Sequence, residues 1–287
     1  MARCTRMSMQ LRIAHTTGFE YDGKANTSFN EARLTPLTLP GQIVAHSRVE
    51  VSPTPWAYTY RDYWGSQVTA FEVLDPHHSL TVTASATVHT DRSPQPGPTM
   101  SWADMRNDTV ADVHTEYLAM PERVAPTDDL VVLAREIADA SANPGEAARE
   151  VCALIYREVK YLSGSTTVDA FAAHSWAERA GVCQDVAHIA IGALRSIGIP
   201  ARYVSGYLHP RPDPVVGDPV SGESHAWVEW WDDGWRGFDP TNDTEPGDRH
   251  VIVAQGRDYN DVKPLSGIFS GSGTSSMFVD VQVTRLQ

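Results

Sequence analysis

The sequence predicts an α+β fold: an N-terminal antiparallel β-sandwich over residues 10–92, then a helix-and-sheet unit over residues 100–287. Three observations predict it. Apolar and polar residues alternate with period two through the first ninety or so residues, between frequent turn signals. A Pro- and Gly-rich stretch, "DRSPQPGPTM", follows as a linker. Apolar spacing then switches to the helical period before returning to strands.

In the first unit, "QLRIAHTTGFEY", "QIVAHSRVEVSP" and "HSLTVTASATVHT" read as strands. Turn signals lie at Asp22-Gly23, Pro40-Gly41, Pro53 to Pro55, Trp64-Gly65-Ser66 and Asp75-Pro76. In the second unit, "DDLVVLAREIADA" predicts a helix with acidic residues at its start, which suits the helix dipole. "NPGEAAREVCALIYREVKYL" predicts another, with Asn143 as cap and Pro144 in the first turn. Cys152 lies on its apolar face and reads as a core thiol. "CQDVAHIAIGALRS" predicts a third helix, with Gly198 and Pro200 past its end. "ARYVSGYL" reads as a strand, and "HAWVEWWDDGWRGFDPTND" as a hairpin turning at Asp232-Asp233-Gly234. "SSMFVDVQVTRLQ" reads as a last strand.

The chain has 287 residues, 41% hydrophobic, and a formal net charge of −13. That charge argues against nucleic-acid and anionic-membrane partners, because no basic surplus exists to neutralise phosphates. No apolar run reaches the roughly 20 residues that span a bilayer. The N-terminus has no apolar signal region, and Met1, Met7 and Met9 are alternative starts. Three cysteines, Cys4, Cys152 and Cys183, make neither a disulfide framework nor a zinc motif, so a reducing cytoplasm is the expected compartment.

The chemistry concentrates in three positions. Cys183 opens an apolar helix, His225 opens a strand and Asp239 closes the next one. A thiol with the ordinary pKa of about 8.5 is mostly neutral at pH 7. A helix start carries partial positive charge and favours the thiolate, as does a neighbouring imidazolium. A carboxylate on the far side of the imidazole orients it and stabilises its cation. Unpaired N–H groups of the first helical turn, including that of Cys183, suit a developing oxyanion. The implied reaction is acyl transfer through a thioester.

"AGVCQDVAHIAIGALRSIGIPARYVSGYL" and "ESHAWVEWWDDGWRGFDPTND" resemble the nucleophile helix and the His/Asp hairpin of the transglutaminase-like superfamily, whose core is papain-like. "FNEARLTPLTLPGQ" and "DYWGSQVTAFEV" resemble the β-rich N-terminal region of its bacterial members, often described as cysteine proteases. "HVIVAQGRDYNDVKPLSGIFSGSG" resembles their C-terminal segment. The resemblance implies Cys183 as nucleophile, His225 as base and Asp239 as orienting carboxylate. It implies an oxyanion contact from an aromatic upstream of the nucleophile, for which Tyr161 and Trp176 are the candidates. Animal relatives use calcium, but no loop has calcium-binding spacing, and the acidic residues Asp213, Asp218, Glu223, Asp243, Glu245 and Asp248 carry no such motif. No metal and no cofactor is expected.

Gln184 is a further oxyanion or substrate candidate, and Trp227 a candidate wall of an acyl-binding groove. Asp185 reads as a dipole partner, and His188 as a hydrogen-bonded packing residue. The segment 209–224 is either a flap or a surface connection. The leading functional reading is a peptidase or amidase acting on a peptide or protein substrate. The alternatives are a protein-glutamine transamidase and a non-catalytic peptide-binding scaffold. A homo-oligomer is left open.

Overall fold

The computed structural model describes residues 8–164, 170–222 and 224–287, so Cys4, Met1, Met7 and Glu223 lie outside the described residues. The N-terminal strands are β1 (Met9–Ala32), β2 (Gln42–Ser52), β3 (Trp56–Arg61), β4 (Gln67–Val73) and β5 (His77–Thr90). Short helices α1 (Trp102–Met105), α2 (Asp108–Val113) and α3 (Thr115–Leu118) lead to α4 (Asp128–Ala140) and α5 (Pro144–Glu158). Next come β6 (Lys160–Tyr161), α6 (Ala172–Glu178), β7 (Ala180–Gly181) and α7 (Cys183–Ser196). The chain continues through β8 (Ala201–Leu208), β9 (Pro219–Gly222), β10 (Ser224–Trp231), β11 (Trp235–Phe238) and β12 (His250–Gly256). It closes with α8 (Tyr259–Val262), β13 (Leu265–Gly271) and β14 (Ser275–Arg285).

β1 is long enough to serve two layers. Its first half pairs with β5 and β14, and its second half pairs with β4 and β13. Asp22-Gly23, expected as a turn between strands, lies instead inside β1, where Gly23 has φ +108° and the pairing with β5 shifts register. A left-handed φ there suits glycine, which has no Cβ to clash. Tyr21, Phe71, Leu80, Val82 and Leu265 form one buried cluster between the halves.

The eight-stranded antiparallel sheet includes β9, β13 and β14. The expected boundary between a 10–92 sandwich and a 100–287 unit is therefore crossed by strand pairing. β14 runs beside β1 from Leu11↔Arg285 to Tyr21↔Ser275. Alternation marks a strand but says nothing of its partner, so a partner from the other end of the chain leaves no local sign. The linker is pinned as well. The Arg92 N–H donates to Asp248 Oδ1 (2.7 Å), and the Met100 N–H to Asp232 Oδ1 (2.8 Å). The 209–224 segment is neither a free flap nor a bare connection, because β9 within it pairs with β14.

α7 is packed against a four-stranded antiparallel sheet of order β11-β10-β8-β12. The sequence shows an apolar stripe on α7, yet Gln184 to Arg195 are all buried. The polar members are satisfied by main chain: Arg195 donates to the carbonyls of Ala119, Ala201 and Arg257. His188 Nε2 accepts from the Tyr259 N–H (3.1 Å), and burial lowers its pKa to about 3, so it stays neutral. Cys152 is fully buried on α5, and burial pushes its thiol above the usual range. α5 ends earlier than its apolar spacing implies, because Lys160 and Tyr161 leave it to pair with Ala180 and Gly181.

At Gly192 a Cβ would sit 1.9 Å from the Val124 carbonyl oxygen. Gly192→Ala therefore forces α7 off its neighbour. The expected loss is about 1–3 kcal/mol, read as a lowered urea midpoint. An unchanged midpoint would show that the contact is soft.

Candidate active site

Each reactive side chain sits at an element end for a local reason. Val182, before α7, is extended and has no side-chain oxygen to cap the helix. Asp185 supplies the cap, its Oδ2 accepting from the Val182 N–H at 2.9 Å. A Cβ at Gly181 would press on the Asp185 side chain at 2.7 Å, so glycine lets the turn close. Cys183 is thus the first residue of a rigid helix. Its own N–H is among those that a helix start leaves without an intrahelical acceptor.

His225 is placed by the β8–β10 register, opposite Gly206. The β10–β11 hairpin sets Val228 opposite Phe238, which puts Asp239 one step past Phe238 and diagonal to His225. His225 Nε2 donates to Asp239 Oδ2 at 2.7 Å, which leaves Nδ1 free of that bond, and His225 and Cys183 line the same two clefts. Burial alone would lower the pKa of His225, but its bond to Asp239 and the charge of the neighbouring Cys183 thiolate outweigh this and raise it to about 10.

Asp239 is fully buried, and five N–H groups hold it. Oδ2 accepts from His225, from Asn242 Nδ2 (2.7 Å) and from His250 Nε2 (3.2 Å). Oδ1 accepts from the N–H groups of Thr241 (3.0 Å) and Asn242 (3.2 Å). Burial would raise its pKa, yet these donors hold it well below the usual carboxylate range. His250 is the residue that sequence reasoning missed. Its Nδ1 accepts from the Gly247 N–H (3.2 Å), which leaves the proton on Nε2 for Asp239. Burial lowers its pKa, so it acts as a neutral donor. The available signal was positional. His250 opens β12 as His225 opens nearby β10, and both strands flank β8, so both rings arrive at one end of the sheet.

The ligand atoms of His225, Asp239 and His250 lie within 4.8 Å of one another. Both histidines stand within hydrogen-bond distance of the carboxylate, at 2.7 and 3.2 Å.

Two clefts, of about 470 and 480 Å³, meet at Cys183 and His225. Tyr161 lines both, and Gln184 lines the first with Tyr203, Tyr259 and Asp280. Asn242 and Leu208 line the second. Two expected site residues are elsewhere. Trp176 is buried on α6, its Nε1 donating to Asp129 (2.8 Å), and lines neither cleft. Its nearness to Cys183 in sequence does not survive the turn between α6 and α7. Trp227 is fully buried behind the histidines, its ring centroid 6.0 Å from that of His225 and 5.3 Å from that of His250. It supports the triad from behind and walls no groove. Asp185, bonded to the turn, also lies outside both clefts.

Residues 11–89 match the model of the bacterial transglutaminase-like N-terminal region, and residues 132–240 match that of the transglutaminase-like superfamily. The uncharacterized protein ML0607 of Mycobacterium leprae is 41% identical over 277 residues, covering 96% of this chain and 99% of the relative. Rv2569c of Mycobacterium tuberculosis is 35% identical, over 95% of this chain and 91% of the relative. A protein-glutamine gamma-glutamyltransferase of Pseudomonas aeruginosa is 38% identical over 74 residues, 24% of this chain and 11% of that protein. In fold, the chain is similar to the crystal structure of a proposed cysteine protease from Cytophaga hutchinsonii. That match has a TM-score of 0.77 at 24% identity, over 98% of this chain and 92% of the other. With a papain-like core and a site suited to cysteine-based catalysis, the chain belongs to the bacterial transglutaminase-like family.

Proposed function

We propose that the protein hydrolyses amide bonds of peptide or protein substrates through a thioester on Cys183. The observation that carries this reading is the His225 ring, bonded to Asp239 at 2.7 Å and lining, with Cys183, the meeting of two clefts. Cys183 Sγ attacks the carbonyl carbon as the C=O π electrons move to oxygen. The N–H of Cys183 holds the oxyanion, with Gln184 or Tyr161 as second donor. The intermediate collapses, the C–N bond breaks, and protonated His225 gives its proton to the leaving amine. Neutral His225 then takes a proton from water as the hydroxide attacks the thioester, and the thiolate leaves. Asp239 stays anionic throughout and His250 holds it in line.

An amine in place of water gives transamidation. The partial match to a protein-glutamine gamma-glutamyltransferase favours that second reading. Tyr161, on the wall shared by the clefts, is 48% exposed, which favours entry of water and hence hydrolysis.

The test is alkylation by iodoacetamide, followed by mass spectrometry, in wild type and His225→Ala. Cys183 is expected to label far faster than Cys152 at pH 6.5, and about tenfold or more slower in the variant. Equal labelling of Cys183 in both proteins would overturn the nucleophile. A peptide library digested with and without a primary amine then separates hydrolysis from amine incorporation.

A further inference from the structure

We propose that the cleft between Cys183 and β14 is a cation subsite, and that Asp280 makes the enzyme select substrates carrying an ammonium or guanidinium group there. This rests on the acyl-transfer reading of Cys183 and adds a substrate class to it.

The two clefts differ in charge. Apart from His225, the described lining of the second cleft holds no charged side chain. The first is bounded by residues Val279 to Val281 of β14, and Asp280 is the one carboxylate among its described lining residues. No lysine or arginine is among its described lining residues. Asp280 is exposed, and no side chain among the described residues forms an ion pair with it, so its charge is not cancelled locally. The strand that carries it is held on both sides, by Thr16 of β1 opposite Asp280 and by the pairing of Val281 with Gly222 of β9. Beyond His225, which both clefts share, a substrate carboxylate entering this cleft meets an anion and neutral hydroxyls such as Ser205 and Ser221. A cationic group meets a fixed counter-charge beside the thioester position.

The experiment uses the full chain and two methanethiosulfonates, one bearing trimethylammonium and one sulfonate. Each transfers its thioalkyl group to the Cys183 thiolate as a disulfide and releases methanesulfinate. Mass spectrometry reads the rate at Cys183. The cationic reagent is expected to react faster, and Asp280→Asn to reduce the cation-to-anion ratio about three- to fivefold. Glu72→Gln, which removes a half-buried charge outside both clefts, controls for net charge and should leave the ratio unchanged. A ratio that is the same in wild type and Asp280→Asn overturns the proposal. Iodoacetamide is neutral, so its His225-dependent rate in wild type reads the nucleophile apart from the subsite. Loss of that dependence in wild type would instead overturn the acyl-transfer reading. Peptide pairs then identify the source of the cation. Cleavage lost on N-terminal acetylation assigns an α-amine, cleavage that follows lysine or arginine assigns a side chain, and indifference to all three overturns the subsite.

Discussion

Cys183→Ala is expected to abolish the proposed amide hydrolysis and to leave the fold intact. Removing Sγ removes the only protein atom in the proposed sequence that bonds to the acyl group. The remaining triad members cannot substitute, because His225 and Asp239 act through the thiol. Loss of a triad nucleophile costs about 10⁴-fold or more in rate. The structural cost is small. Sγ makes one weak contact, to the Ser224 carbonyl at 4.0 Å, and the helix start is held by Asp185 rather than by the cysteine. Circular dichroism and a thermal melt should match wild type within a few degrees while turnover disappears. Full turnover by the variant would sink the mechanism.

Asp239→Asn is expected to be both inactive and unstable. Five N–H groups point at the two carboxylate oxygens. An asparagine amide turns one of those oxygens into a donor facing donors. Removing one partner of a buried charge pair costs about 3–5 kcal/mol, measurable by urea unfolding. Activity should fall about 10⁴-fold, because His225 loses its orientation and its counter-charge. The pH dependence has a definite sign. Asp239 is held below the usual carboxylate range, so its contribution is full above about pH 4 and fades as pH falls through the lower folded value. The stability gap between variant and wild type should therefore be wider at pH 7 than at pH 3. A gap independent of pH would mean that the charge is not what stabilises. His250→Phe removes one of the five donors and should slow turnover about tenfold, with partial recovery in His250→Gln, which keeps an N–H. Equal rates in the two variants would make His250 a packing residue.

What was legible in the sequence was local. Cys183 before an apolar stripe, His225 at a strand start and Asp239 past the hairpin each carried a short-range signal, and the structure brings them together. The misreadings share a cause. Trp176 and Trp227 were assigned to the site by nearness along the chain and by aromatic character, but α6 turns one toward Asp129 and β10 buries the other behind its histidine. The sheet was divided at residues 92–100 because the composition changes there. Yet Ile13 and Val283, at opposite ends of the chain, face each other across one ladder. His250 was missed because the third bond to Asp239 is made by a strand that enters only through its own pairing with β8.

The place of β14 has a consequence for biosynthesis. Cys183, His225 and Asp239 are all made before the strand that walls the first cleft, Ser275–Arg285. During translation these three residues therefore emerge before the strand that walls the first cleft. β14 must then find β1, the strand made first, across nearly the whole length of the polypeptide, a closure that is slow compared with local hairpins. A growing chain on the ribosome thus holds Cys183, His225 and Asp239 without the wall of the first cleft, and gains that wall only as β14 docks.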